Sequence, residues 1–225
     1  MSDVAVVGGA TGGLGRAVVA RLVADGWTCI ALSRRPDQGD LPRGAIHVQC
    51  DLSNAAQVDS LAARVAATGR WTAAVSCSGG YAPGRAHEIG DPAMLEQLEL
   101  NLLGPWRLAR AAAQAMLEHG GGGRIVLTAG RAAVDVQPNQ AGYQLSKVAV
   151  ARLVEVMARE LRDRAITVNA VLPSTMDTPA NRAAMPDADH GRWVAVADVA
   201  AVVSWLLGGE SGVVSGGLVP VYGRA

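Results

Sequence analysis

The sequence predicts an α/β fold: one doubly wound parallel sheet of about seven strands with helices on both faces, forming a single domain over residues 1–225. Three observations predict it. Short continuous apolar runs recur along the chain, the pattern of strands buried on both faces. Stretches of helical periodicity alternate with them. The first apolar run also passes directly into a glycine-rich turn and then a helix. Half of the 225 residues are apolar and 27 are glycine, which suits a doubly covered sheet with tight turns. The length suffices to bury a full core.

Taken in order, Val4, Ala5, Val6 and Val7 form the first strand and glycines follow from Gly8 to Gly15. Residues 16–25 show helical periodicity (Val18, Val19, Leu22, Val23) and stop at Gly26. Residues 28–32 read as the second strand, ending at Ser33, Arg34 and Arg35, with a Pro/Gly-rich turn over 36–44. The third strand, 46–50, closes at Asp51, and Asn54 caps a helix to about residue 67. Residues 72–76 form a fourth strand that runs into Cys77, Ser78, Gly79, Gly80 and Tyr81. A long helix is expected over 92–118, bent near Gly104 and Pro105. A fifth strand (124–128), a helix (141–164) and a sixth strand (166–172, ending at Pro173) come next. A short lid helix over 178–185, a helix capped by Asp198 and reaching about residue 207, and a last strand from Val213, Val214 and residues 218–221 complete the chain.

Composition excludes several classes. Net charge is zero and there are no charge runs, so neither nucleic acid nor a membrane surface is an expected partner. Cys29, Cys50 and Cys77 are isolated and odd in number, without disulfide or zinc spacing, which suits a reducing cytosol. The four histidines have no ligand spacing, and no metal site is expected. Asp3 and Gly8 argue against a signal peptide. The apolar runs break within about ten residues, too short to span a bilayer. The expectation is a cytoplasmic protein acting on a small molecule.

Two motifs carry chemistry. In the turn from Gly8 to Gly15, glycines let the backbone bend sharply and approach a pyrophosphate, while the following helix N-terminus offers free N–H groups and partial positive charge. Its spacing, Gly9-x-x-x-Gly13-x-Gly15, is wider than the common dinucleotide fingerprint. Tyr143 and Lys147, four residues apart, share one helix face. A phenol titrates near ~10 and is a poor acid at neutral pH. A neighbouring ammonium favours the phenolate and is expected to lower that value.

These motifs resemble the short-chain dehydrogenase/reductase family, with its Rossmann-type sheet, over nearly the whole chain. The resemblance includes the glycine turn, Asp51-Leu52 after the third strand, Asn101 in the fourth helix, Tyr143-x-x-x-Lys147, and Asn169 to Pro173 leading to Thr178. It implies that Tyr143 is the proton donor, that Lys147 holds the nicotinamide ribose and lowers the Tyr143 pKa, and that Asn101 keeps a water in a proton relay. It implies that Asp51 contacts adenine. The implied cofactor cradle comprises Gly9, Thr11, Gly13, Leu14, Gly15, Asp51, Leu52, Ser78, Gly79, Lys147, Pro173 and Thr178, joined by Ser33 and Arg34. It also implies a homodimer or homotetramer through the fourth and fifth helices, whose apolar faces lie around 108–115 and 148–156.

Two departures narrow the resemblance. Gly130 stands thirteen residues before Tyr143, where the family has a substrate-binding Ser; Thr128 is a candidate substitute. Cys77-Ser78-Gly79-Gly80 replaces a common Asn-Ala-Gly sequence. Both departures, and the segment from Leu172 through Asp189 to Trp193, resemble the quinonoid dihydropteridine reductase branch. That resemblance implies hydride transfer to a conjugated C=N or C=O, with a quinonoid dihydropterin-like heterocycle as substrate. A flat heterocycle suits a flat apolar slot, for which Tyr81 and Trp193 are candidate faces; Trp106 is a third, with core packing as its default role. A reductase of another ketone, imine or quinone is the alternative, supported by Asn101, and a non-catalytic NADP-binding sensor or scaffold is the third. At the end of the second strand no acidic side chain awaits the ribose 2′-OH of NAD. Arg34 and Ser33 suit a 2′-phosphate, so NADP(H) is expected over NAD(H), by roughly 10- to 100-fold for one charged hydrogen bond. Animal members of the pterin-reductase branch carry Asp there and favour NADH.

Overall fold

The structure, a computed structural model, describes residues 2–36 and 41–224. Seven strands form one parallel sheet: β1 (Asp3–Gly8), β2 (Thr28–Ser33), β3 (Ile46–Gln49), β4 (Arg70–Ser76), β5 (Gly123–Thr128), β6 (Ile166–Pro173) and β9 (Leu218–Val221). Their order is β3-β2-β1-β4-β5-β6-β9. The order reverses at β1, so the chain leaves β1 toward β2 on one side and returns to β4 on the other. That opens a crevice at the carboxyl ends of β1 and β4.

Alternation along the strands sends side chains to two cores. Val4, Val6, Ile30, Leu32, Ile125 and Leu127 pack under one helical layer: α2 (Ala55–Asp59), α3 (Leu61–Ala66), α5 (Gly104–Glu118) and α6 (Ala141–Glu160). Ala5, Val7, Ala31, Val75, Val126 and Val171 pack against α1 (Gly13–Ala24) and α8 (Val196–Leu207) on the other face. Both faces of the sheet are therefore dry, which accounts for the near-continuous apolar strands.

Several boundaries differ from the sequence expectation. The turn expected over 36–44 lies partly outside the described residues. Helix α1 begins at Gly13, inside the glycine turn, so its free N–H groups face the crevice. The expected long helix is α4 (Asp91–Leu98), a π-helical turn over Glu99–Leu103, and α5. In that turn Gly104 donates its N–H to the Glu99 carbonyl, five residues back. Pro105 has no N–H to give the Asn101 carbonyl, which disfavours a regular α-turn at this point. Asp198 lies in the first turn of α8 and does not cap it; Ala195 holds the N-cap position. The last strand excludes Val213, which is 95% exposed. Beyond β6 lie the short paired strands β7 (Met176–Asp177) and β8 (Val194–Ala195), with α7 (Pro179–Ala184) between them, its N-terminus capped by the Thr178 hydroxyl accepting from Asn181 N–H. Among the described residues, no helix is long and apolar enough to cross a membrane, and no group of three His, Cys, Asp or Glu side chains could hold a metal ion.

Candidate active site

A cavity of about 850 Å³ opens at the carboxyl ends of β4, β5 and β6. It runs from Gly12, Gly13 and Leu14 at the start of α1, past Ser78 and Gly79, to Tyr143 and Lys147 on α6. Pro173, Thr178, Asn181 and Met185 form the opposite wall.

The glycine turn is shaped by contacts that a side chain would break. Gly9 has φ +71°, and a Cβ there would stand 2.7 Å from the Ser78 amide nitrogen. A Cβ on Gly15 would meet the Gly9 carbonyl oxygen at 2.1 Å. Gly13 differs: its nearest obstacle is the Thr178 methyl group, 2.8 Å from the Cβ position. Thr178 therefore stands directly over the turn.

Lys147 is only 3% exposed, and its ammonium donates to the Thr128 carbonyl at 2.9 Å. The nitrogen also sits over the Tyr143 ring, 5.6 Å from its centroid. Burial pushes the Lys147 ammonium down to about 8. Burial also raises the Tyr143 phenol, and Tyr81 adds to the rise. The expected lowering of the Tyr143 pKa is therefore not what this geometry produces. The ammonium is bonded to Thr128 and faces the ring, and desolvation of the phenolate outweighs it. The edge of one ring meets the face of the other between Tyr81 and Tyr143, with centroids 5.4 Å apart at 81°.

Asn101, fully buried in the π-turn, makes a two-way clamp on Gly80. Its Nδ2 donates to the Gly80 carbonyl at 2.9 Å and its Oδ1 accepts the Gly80 N–H at 3.1 Å. The clamp fixes the loop after β4 against α4. Gly79, adjacent to it, has φ +157°, and a Cβ there would crowd Asn101 Oδ1 at 2.8 Å and Lys147 Nζ at 3.3 Å.

Of the residues expected from sequence, the cavity gathers Gly13, Leu14, Ser78, Gly79, Tyr81, Asn101, Thr128, Tyr143, Lys147, Pro173 and Thr178. Gly9, Thr11, Gly15, Ser33, Arg34, Asp51 and Leu52 lie outside its lining. They belong to the β1 turn and the carboxyl ends of β2 and β3. Burial alone would raise the Asp51 carboxyl, but hydrogen bonds from Ser53 and the charge of Arg34 hold it below its usual range. Leu52 is buried in the core.

The surroundings of four further candidates are as follows. Trp193 does not line the cavity; its ring packs on His190, centroids 4.4 Å apart. Trp106 lies under the Arg110 guanidinium on α5, also away from the cavity. The Thr128 hydroxyl donates to the Ser76 carbonyl at 2.8 Å, across the β4–β5 pair, so its proton is already committed. The Ser33 hydroxyl likewise donates to the Arg35 carbonyl at 3.1 Å, and lies 3.0 Å from His47 Nε2. Sequence reasoning missed Arg131, Asp135, Gln137 and Gln140, which line the cavity from the loop between β5 and α6. That loop has no periodicity, so no sequence signal singled them out.

The position of the absent Ser has a backbone cause. Gly130 has φ +96° and ψ 161°, a region essentially restricted to glycine. A Cβ built there would lie 3.6 Å from the Tyr143 hydroxyl. The turn thus carries glycine where the family resemblance leads one to look for a hydroxyl.

The residues present fit a nicotinamide dinucleotide. The glycine turn offers a side-chain-free approach to the helix N-terminus, and a buried ammonium with further N–H donors stands at the far end of the same cavity. The model of the short chain dehydrogenase family matches residues 3–189. An uncharacterized NAD-dependent oxidoreductase of Mycobacterium tuberculosis is 31% identical over 171 residues, 68% of this chain and 62% of its own. The chain thus spans less than two thirds of the length of that relative. The 3-oxoacyl-(acyl-carrier-protein) reductase MabA of the same organism is 30% identical over 227 aligned positions, covering 97% of this chain and 90% of that protein. Among solved structures, a variant of actinorhodin polyketide ketoreductase with NADPH superposes with a TM-score of 0.89 at 28% identity, covering 99% of this chain and 96% of that one. ElxO with NADP bound has a TM-score of 0.91 at 19% identity over 99% of this chain and 98% of that one, a likeness of fold alone.

Proposed function

This chain belongs to the short chain dehydrogenase family, and from that premise we propose which of its reactions the site performs. It is an NAD(P)-dependent oxidoreductase. Tyr143 and Lys147, both lining the same cavity, favour an enzyme over the non-catalytic sensor. We propose a single-domain NADPH-dependent reductase of a conjugated C=N or C=O, with a quinonoid dihydropterin-like heterocycle as the best candidate substrate.

The observation that carries this reading is Gly130. With glycine at φ +96° and the Thr128 proton given to Ser76, β5 brings no free hydroxyl to Tyr143. An isolated ketone is best polarised by two donors on its oxygen. A conjugated imine spreads charge over its ring and needs one proton at one atom. The exposed Tyr81 ring, edge-on to Tyr143, adds an aromatic wall for a flat substrate.

A bound reduced nicotinamide supplies the hydride. Tyr143, kept protonated by burial, gives its phenolic proton to the substrate nitrogen or oxygen. Lys147 offers N–H donors to the ribose and a positive charge to the phenolate left behind. Asn101 holds the Gly80 backbone and with it the wall that carries Tyr81. The exposed Arg34, at the end of β2, is the proposed partner of a 2′-phosphate, favouring NADPH. Arg34→Asp is expected to lower the NADPH/NADH ratio of kcat/KM by roughly 10- to 100-fold. An unchanged ratio would remove Arg34 from that role. We also propose a cytoplasmic homodimer or homotetramer joined through the long helices, with α6 supplying the exposed apolar face.

The test is NADPH oxidation with quinonoid dihydropterin against a panel of quinones, imines and isolated ketones. Faster turnover of the conjugated substrates supports the reading. Turnover of isolated ketones alone would replace it with a ketone reductase, the reading favoured by buried Asn101 and by the likeness to MabA.

A further inference from the structure

The turn between β5 and α6 brings a carboxylate to the cavity. Among the described lining residues only Arg131, Asp135 and Lys147 are charged, so Asp135 is their one acid. It is held from two directions. Arg131 Nε donates to Asp135 Oδ2 at 2.8 Å, and the Arg131 guanidinium lies over the Tyr222 ring, 5.2 Å from its centroid. Gln144, next after Tyr143 on α6, donates its side-chain amide to the Asp135 carbonyl at 3.0 Å. Asp135 is thus braced against the helical turn that carries Tyr143. Its second oxygen, Oδ1, accepts no hydrogen bond among the described residues. Gln137 and Gln140 line the same cavity.

A substrate that fills this cavity takes water from Asp135. A carboxylate stripped of water needs donors in return. An acyl chain or simple ketone has none, whereas a heterocycle with adjacent N–H groups has two.

We propose that Asp135 is a specificity-determining residue that binds a pair of N–H donors on the edge of the substrate ring, of the kind an amino-substituted pyrimidinone presents. The inference rests on the conjugated-heterocycle reading and adds to it the residue that recognises the edge of the ring. Asp135 recognises the amidine-like edge while Tyr143 serves the ring that accepts hydride. Arg131 is a positioning residue that holds the carboxylate in place through Oδ2 and leaves Oδ1 to the substrate.

The experiment measures binding of two fluorescent probes to the NADP⁺-loaded protein. Pterin carries the paired donors; lumazine has a carbonyl in place of the exocyclic amino group. The wild type is expected to bind pterin at least about 10-fold more tightly, the gain from a charged hydrogen bond. Asp135→Asn and Asp135→Ala are expected to bring that ratio close to one. NADP⁺ affinity, read in the same titrations, reports that each variant is folded. A wild-type ratio near one overturns the proposal without any variant, and so does a ratio that survives both substitutions. Turnover separates this failure from failure of the function. A wild type that reduces conjugated substrates with no preference for pterin retains the reading and loses Asp135. A wild type that turns over isolated ketones only loses both.

Discussion

At the residue scale, Tyr143 and Lys147 are both buried, and burial moves them in opposite directions, the phenol up and the ammonium down to about 8. Both shifts favour the neutral form of each group. For reduction this leaves Tyr143 a protonated donor across the neutral range. Tyr143→Phe is expected to lower kcat by about 10²- to 10⁴-fold while NADPH binding changes little, as single-turnover kinetics and a cofactor titration would show. Survival of most of kcat would assign the proton to another group. Lys147 also carries a stability cost. In the folded protein it gives up its proton near pH 8, in the unfolded chain near ~10.4, so between these the unfolded state binds more protons. Stability therefore rises with pH through that window. The cost is fully present below about pH 8 and is relieved above it, on the order of 3 kcal/mol in all. Calorimetry of the cofactor-free protein should show wild type gaining stability relative to Lys147→Met between pH 7 and 10. A difference that stays flat would mean that the ammonium is solvated.

At the element scale, the turn between β1 and α1 separates two kinds of glycine. Gly9 and Gly15 meet backbone atoms that cannot move without shifting a strand. Gly13 meets only the Thr178 side chain, which can rotate. Gly9→Ala is expected to cost roughly 1–3 kcal/mol from its positive φ alone, with the contact to Ser78 added, and to abolish NADPH binding. Gly13→Ala should fold normally and weaken cofactor binding only by displacing Thr178. Denaturation midpoints and NADPH titrations of the two variants check this, and equal losses would contradict it. The spacing of the three glycines was legible in the sequence; that Gly9 faces Ser78 and Gly13 faces Thr178 was not, because those two residues arrive from beyond β4 and β6. The π-turn at Asn101 was half legible. Pro105 announced an interruption, but the clamp on Gly80 depends on a loop 21 residues away in sequence.

At the scale of the whole molecule, the two long helices do different things. The α5 face from Leu108 to Ala115 is buried within the chain: Leu108, Ala109 and Ala112 have no exposure. Helix α6 buries Val150, Val154 and Met157 but leaves Leu145, Val148 and Val156 at 57%, 48% and 44% exposure. Apolar side chains repeated on one exposed helix face fit contact with a second copy. Leu145→Glu combined with Val148→Glu is expected to shift the protein to monomer in gel filtration and light scattering, with each chain still folded by circular dichroism. An unchanged elution volume would move the interface off α6.

The sequence by itself determined the parallel sheet, its dry faces and the order of the chemical motifs, because strand periodicity, glycine turns and helix spacing are local properties. It also determined that Tyr143 and Lys147 share a helix face, which four-residue spacing guarantees. Tertiary structure alone decided which polar groups are free to act. Thr128 and Ser33 read as available hydroxyls until packing brought the Ser76 carbonyl and the Arg35 carbonyl within reach. Trp193 read as a cavity wall until packing set its ring on His190. Asp135 had no signal at all, since its place beside the cavity depends on Arg131, Gln144 and Tyr222 meeting around one irregular turn. The pKa of Tyr143 followed the same rule: adjacency in sequence favours the phenolate, but desolvation by the surrounding fold is the larger effect and reverses the sign.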